Sequence, residues 1–175
     1  HSIMKRVLFF FGQLNDRDVE WMTLNGHKIE VQTGTKLIEK DKELDNLYIV
    51  LDGQLSVYNN SPSDSIAKLG SGEILGEMSF LEARPPSVTV IATTHSRIFV
   101  IAIKLINERM NSNPEFRSNF YYALALFLSN RLRKTTDQLG YGNPKEEDLI
   151  DTNILDGVAQ AGSRFSQILH RFSEV

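Results

Sequence analysis

Two apolar runs, residues 47–51 and 54–58, are separated by nothing but Asp52-Gly53. An Asp-Gly pair between such runs is a strong local signal for chain reversal, because a type I′ turn needs positive φ at both central positions. The pair therefore predicts two strands joined by a tight hairpin, and a chain with such a centre must build a sheet around it. Its neighbours agree. Ile29 and Val31 alternate with Lys28 and Glu30, Leu37-Ile38 follows a turn at Gly34, and residues 66–69 form a further short run. Val88, Val90 and Ala92 then alternate with Thr89, Ile91 and Thr93 before a last run at 97–103. About eight short strands with glycine turns and no long helix between them predict a mainly β fold, a double-sheet jelly roll or β-barrel, and disfavour a parallel α/β sheet.

Helical periodicity flanks this region. Residues 14–22 read as a short helix with Asn15 as its N-cap, acids in its first turn and Asn25-Gly26 as its stop. Residues 40–46 are rich in charge and read as a solvated connection. Asn113-Pro114 opens a long C-terminal helix, with a capping asparagine and proline at the first helical position. That helix carries two apolar stripes, Phe116, Phe120, Leu124 and Phe127 on one side and Tyr121, Ala125, Leu128, Leu132, Thr135 and Leu139 on the other. The barrel can cover one stripe. The second predicts either a homodimer through the helix at 113–140 or cover by the chain's own tail, where Phe165, Ile168, Leu169 and Phe172 read as amphipathic. Gly140 to Pro144 breaks the helix, so the expected organisation is 1–112 for the first helix and jelly roll, 113–140 for the long helix, and 141–175 for a linker and short helical tail.

Composition narrows the function classes. The 175 residues contain no cysteine, so disulfides and thiolate metal sites are excluded. No apolar run approaches the ~18 residues of a membrane helix. A cytoplasmic setting is the expectation. A net charge of −3 gives no general basic field for nucleic acid. The histidines at 1, 27, 95 and 170 are scattered without metal-ligand spacing, and no nucleophile elbow or P-loop occurs. No catalytic or metal residue is therefore assigned, and no cofactor; a cupin-like enzyme built on the same jelly roll lacks its histidines.

The chemistry concentrates in residues 70–93, G-S-G-E-I-L-G-E-M-S-F-L-E-A-R-P-P-S-V-T-V-I-A-T. Glycines at 70, 72 and 76 permit positive φ or close approach of a ligand. G-E-I-L-G-E-M-S followed by a loop, a proline and S-V-T-V resembles the phosphate-binding cassette of the cyclic-nucleotide-binding domain, a family that includes catabolite-activator-type regulators, kinase A regulatory subunits and gated channels. The run 47–58 is similar to the family's strand–turn–strand ahead of the cassette, and the resemblance covers roughly residues 8 to 140. It implies a non-enzymatic sensor of cAMP or cGMP in which Glu77 accepts a hydrogen bond from the ribose 2′-hydroxyl, Gly76 allows the approach, and the N–H groups of Met78 and Ser79 face the phosphate.

The resemblance fails at one place. The family puts an arginine directly after the proline, and Pro86 stands there. Two alignments stay open. In the ungapped one Ser87 and Val88 keep their N–H groups but no guanidinium is present; in a loop shortened by two, Arg84 enters register as R-P-P-S-V, followed by two prolines with no N–H to give. The alternative function is a ligand-free interaction domain whose cassette has decayed and which meets a protein partner through its long helix. Catabolite-activator relatives continue into a winged helix-turn-helix; about 35 residues follow Gly140 here, acidic at first, so no DNA-binding domain is expected.

Overall fold

The computed structural model describes residues 12–60, 63 and 65–138. Eight strands lie among them: β1 (His27–Val31), β2 (Lys36–Ile38), β3 (Asn46–Asp52), β4 (Leu55–Tyr58), β5 (Ser65–Leu69), β6 (Ile74–Leu75), β7 (Thr89–Ala92) and β8 (Ser96–Ala102). Four helices accompany them: α1 (Asp16–Asn25), α2 (Glu77–Glu82), α3 (Ile103–Ser112) and α4 (Pro114–Gln138). The chain forms two compact units, Trp21–Arg109 and the segments ending at Glu20 and beginning at Met110.

The first unit holds two four-stranded antiparallel sheets, ordered β1-β8-β3-β6 and β2-β7-β4-β5. This is the double-sheet jelly roll with flanking helices and a long C-terminal helix that the sequence predicts. Only β4 and β5 pair as sequence neighbours; every other pairing joins strands far apart in the chain. β1 pairs with β8 in the register His27↔Val100, and β2 with β7 through Lys36↔Ile91. Between the sheets lies one apolar core to which Val50, Ile98 and Val100 contribute from one side and Leu55, Val57 and Val90 from the other. β3 is buried at every position from Leu47 to Leu51, so it is covered on both faces. That explains why it reads as a continuous apolar run rather than an alternation.

The hairpin expected at Asp52-Gly53 is not there. β3 and β4 belong to different sheets, and only Gly53 of the pair has positive φ, at 107°. The connection is a corner that carries the chain from one sheet to the other. What holds it is distant in sequence: Gln54 N–H donates to Thr94 Oγ1 at 3.0 Å, and Thr93 N–H donates to Gln54 O at 2.9 Å. A Cβ on Gly53 would sit 2.7 Å from Ser96 Cα, so the corner packs directly on the start of β8. Asp52 also pairs with Arg97 at 3.6 Å. The last strand lies one residue earlier than expected, starting at Ser96 and ending at Ala102 because Ile103 already begins α3.

The flanking segments behave as their caps foretell. Asn15 Oδ1 accepts the Asp18 N–H at 2.8 Å and Asn15 N–H reaches Asp18 Oδ2 at 3.4 Å, a reciprocal cap on α1. Asn113 Oδ1 accepts the Phe116 N–H at 3.0 Å at the start of α4. The two stripes of α4 fare differently. Phe116, Phe120, Leu124 and Phe127 are all at most 1% exposed, each contributing about 1.5–3 kcal/mol of burial. Leu132 is 67% exposed and Tyr121 40%, with Ala125 exposed and Leu128 half-buried between them. Leu139 and the tail from 141 lie outside the described residues.

Candidate functional site

The cassette begins at the turn just ahead of β6. Gly72 has φ 93° and its N–H donates to Val50 O at 2.8 Å, while Val50 N–H returns to Glu73 O at 2.9 Å. Ser71 Oγ donates to Leu51 O at 2.9 Å. These bonds fix the Gly-rich approach to the middle of β3. Gly70 was expected to share the glycine freedom, but among the three only Gly72 and Gly76 have positive φ.

Gly76, at φ 90°, opens α2. A Cβ there would lie 2.7 Å from Leu44 Cδ2 and 3.2 Å from Asn46 O. The glycine is thus demanded by the fold itself, beside whatever a ligand requires. α2 is six residues long; the Phe80 N–H donates to Gly76 O and the Ala83 N–H to Ser79 O, both at 2.9 Å, and Ala83 ends it in the left-handed region at φ 54°. Within this short element Glu77 is 3% exposed, Met78 is 55% exposed and Ser79 is half-buried. Glu77 is engaged within the protein.

The loop that follows is less free than its position suggests. Arg84 and Ser87 are exposed, Val88 is half-buried, and Pro86 is buried. Pro86 O accepts the Asp41 N–H at 2.9 Å, and three residues on Thr89 Oγ1 accepts the Lys40 N–H at 3.1 Å. The turn at 39–42 therefore clamps the cassette's exit. Asp41 adopts φ 65°, and the Lys42 N–H closes the turn on Glu39 O at 3.2 Å. Its lysines are engaged elsewhere: Lys40 Nζ donates to Asn60 Oδ1 at 2.8 Å, and Lys42 Nζ lies 3.1 Å from Glu39 Oε2.

Of the residues picked from sequence, Gly76, Glu77, Met78 and Ser79 share one left-handed entry and one short helix, whereas Arg84, Ser87 and Val88 follow it on a loop held by the clamp. Two participants were missed. The clamp fell in a stretch taken for solvated loop, because its role depends on main-chain N–H groups that leave no residue signature. Glu73 is 1% exposed, a second buried carboxylate one helical turn's worth of sequence before Glu77. The repeat of Gly-Glu at 72–73 and 76–77 was the available signal.

Comparison with known proteins bears directly on this arrangement. The model of the cyclic nucleotide-binding domain family matches residues 28–113. Cyclic GMP-binding protein C of Dictyostelium discoideum is 24% identical over 178 residues, spanning 93% of this chain and 7% of that protein. Potassium channel AKT2 of Oryza sativa subsp. japonica is 28% identical over 177 residues, 95% of this chain and 20% of the channel. The chain thus spans a fifth or less of either relative. A solved cyclic nucleotide-binding domain from Methylobacillus flagellatus superposes with a TM-score of 0.68 at 21% identity, covering 86% of this chain and 84% of that one, which speaks to the fold. Through residues 28–113, which hold nearly all of both sheets and the whole cassette, the chain belongs to the cyclic nucleotide-binding domain family.

Proposed function

We propose that this chain is a non-catalytic regulatory module that senses a ligand of the cyclic-nucleotide class, cAMP or cGMP, at residues 76–88, in a cytoplasmic setting. The observation that carries the reading is Glu77, a carboxylate 3% exposed, set directly behind a glycine at φ 90° within a segment matched by the family. A carboxylate offers about four acceptor positions, so beside its contact within the fold Glu77 is of the type that accepts a hydrogen bond from a ribose hydroxyl. Met78, exposed, and Val88, half-buried, add apolar surface to the same segment. Calorimetric titration of the protein with cAMP and with cGMP tests the reading. Saturable binding that Glu77→Ala weakens supports it, and no heat from either ligand at millimolar concentration rejects it in favour of a ligand-free interaction domain.

The second part of the proposal is a homodimer through α4. Exposed Tyr121, Ala125 and Leu132 and half-buried Leu128 recur at steps of four and three, the spacing of a two-helix seam, on a helix whose other stripe is already buried. Leaving Leu132 at 67% exposure is unfavourable by about 1.5–3 kcal/mol relative to burial, and a second copy would relieve it. Sedimentation at micromolar concentration tests this.

A further inference from the structure

The exit loop of the cassette offers an anion little. A phosphate settles where a cation or a set of free main-chain N–H groups meets it. Along residues 83–88 the Ala83 N–H is spent on Ser79 O and Pro85 and Pro86 have no N–H at all, which leaves the loop only the N–H groups of Arg84, Ser87 and Val88. The loop's one guanidinium, Arg84, is exposed, where attraction is screened and holding a long side chain costs entropy. Nor is the loop free to slide Arg84 two places along. Pro86 is buried with its carbonyl on Asp41 N–H, and Thr89 Oγ1 is held by Lys40 N–H, so both sides of Ser87 are pinned in register. The lysines of the clamp are committed to Asn60 and Glu39. Against one exposed cation stand Glu77, buried, and Glu82, exposed, within residues 76–88.

We propose that this site holds an uncharged ribonucleoside: base and ribose hydroxyls carry the affinity, and the cyclic phosphate adds none. The inference rests on the reading above that residues 76–88 hold a nucleotide-like ligand, and it narrows the class of that ligand. Glu77 keeps its role as acceptor of a ribose hydroxyl, since a carboxylate offers about four acceptor positions. What changes is the partner of the loop at Pro86, which presents neither charge nor donor.

The full chain is titrated calorimetrically with adenosine, guanosine, cAMP and cGMP. At least one nucleoside is expected to bind as tightly as its own cyclic phosphate, or more tightly. Tighter binding of the cyclic phosphate in both pairs overturns the inference while leaving the ligand-binding reading intact; binding of none of the four overturns both. Pro86→Arg supplies the absent guanidinium, and its expected effect is a rise of about tenfold or more in affinity for the cyclic phosphates with the nucleosides unmoved. A folded Pro86→Arg variant with no such gain overturns the assignment of position 86 as the missing phosphate contact. Where that variant does not fold, the wild-type ratios decide.

Discussion

Gly76→Ala should destabilise the ligand-free protein, and by more than an alanine at another left-handed glycine. At φ 90° a side chain costs about 1–3 kcal/mol of backbone strain, and the stiffer unfolded chain returns about 0.4–1 kcal/mol. The new Cβ would also press on Leu44 Cδ2 at 2.7 Å and on Asn46 O at 3.2 Å. The leucine tip can rotate away, at about 0.5–1.5 kcal/mol for an off-rotamer side chain. The net expectation is about 1–3.5 kcal/mol. Gly34→Ala is the control, since Gly34 has φ 91° but nothing within 4 Å of an added Cβ, so it isolates the backbone part. Urea unfolding of both variants, read at unchanged slope, should place Gly76→Ala below Gly34→Ala by about 0.5–1.5 kcal/mol. Adding Leu44→Ala should remove most of that gap as a coupling energy. A Gly76→Ala protein as stable as Gly34→Ala would refute the claim that the fold, rather than a ligand alone, demands this glycine.

Other expectations are simpler. Glu77→Ala, checked by circular dichroism for retained fold, should weaken any bound ribonucleoside or cyclic nucleotide by about 1.5–3 kcal/mol, the range for a hydrogen bond to a charged group, and unchanged affinity would dispose of the ribose role. Arg84→Ala should leave affinity within about fivefold, because an exposed charge is worth at most about 1 kcal/mol; a loss of well over about tenfold would show that Arg84 reaches the ligand after all. Leu128→Asp with Leu132→Asp should convert a sedimenting dimer into a folded monomer, whereas a wild-type monomer would remove the seam from consideration. Asn113→Ala should lower stability by about 0.5–2 kcal/mol in urea through loss of the bond to Phe116 N–H, and no change would mean that water replaces the cap.

Much of the fold was legible because its signals are local. Asn15 and Asn113 cap the helices they were expected to cap, and the alternation after Ser87 is a strand with Val90 and Ala92 inside. The buried stripe of α4 was readable from spacing alone. The corner at Asp52-Gly53 was not, since the same dipeptide serves a hairpin within one sheet and a crossing between two. What decides between them is Thr93 and Thr94, some forty residues on, and no window of sequence contains both partners. The cassette divides along the same line. Gly76 and Glu77 announce themselves by type, whereas the hold of Asp41 and Lys40 on Pro86 and Thr89 is donated by main-chain N–H groups that carry no residue signature.

The pairing of β1 with β8 has a consequence for how the molecule is made. During synthesis at about 5–20 residues per second, the strand beginning at His27 emerges several seconds before Val100, the residue it must face, some seventy positions later. The strand beginning at Lys36 waits in the same way for Ile91. Neither sheet can therefore close on the ribosome until the cassette and the strands after it are complete, and β3, apolar on both faces, spends that interval without its β8 neighbour. Such a nascent chain is a natural client for a holding chaperone, and a ribosome stalled anywhere before Ala102 would display an open apolar edge rather than a smaller folded domain.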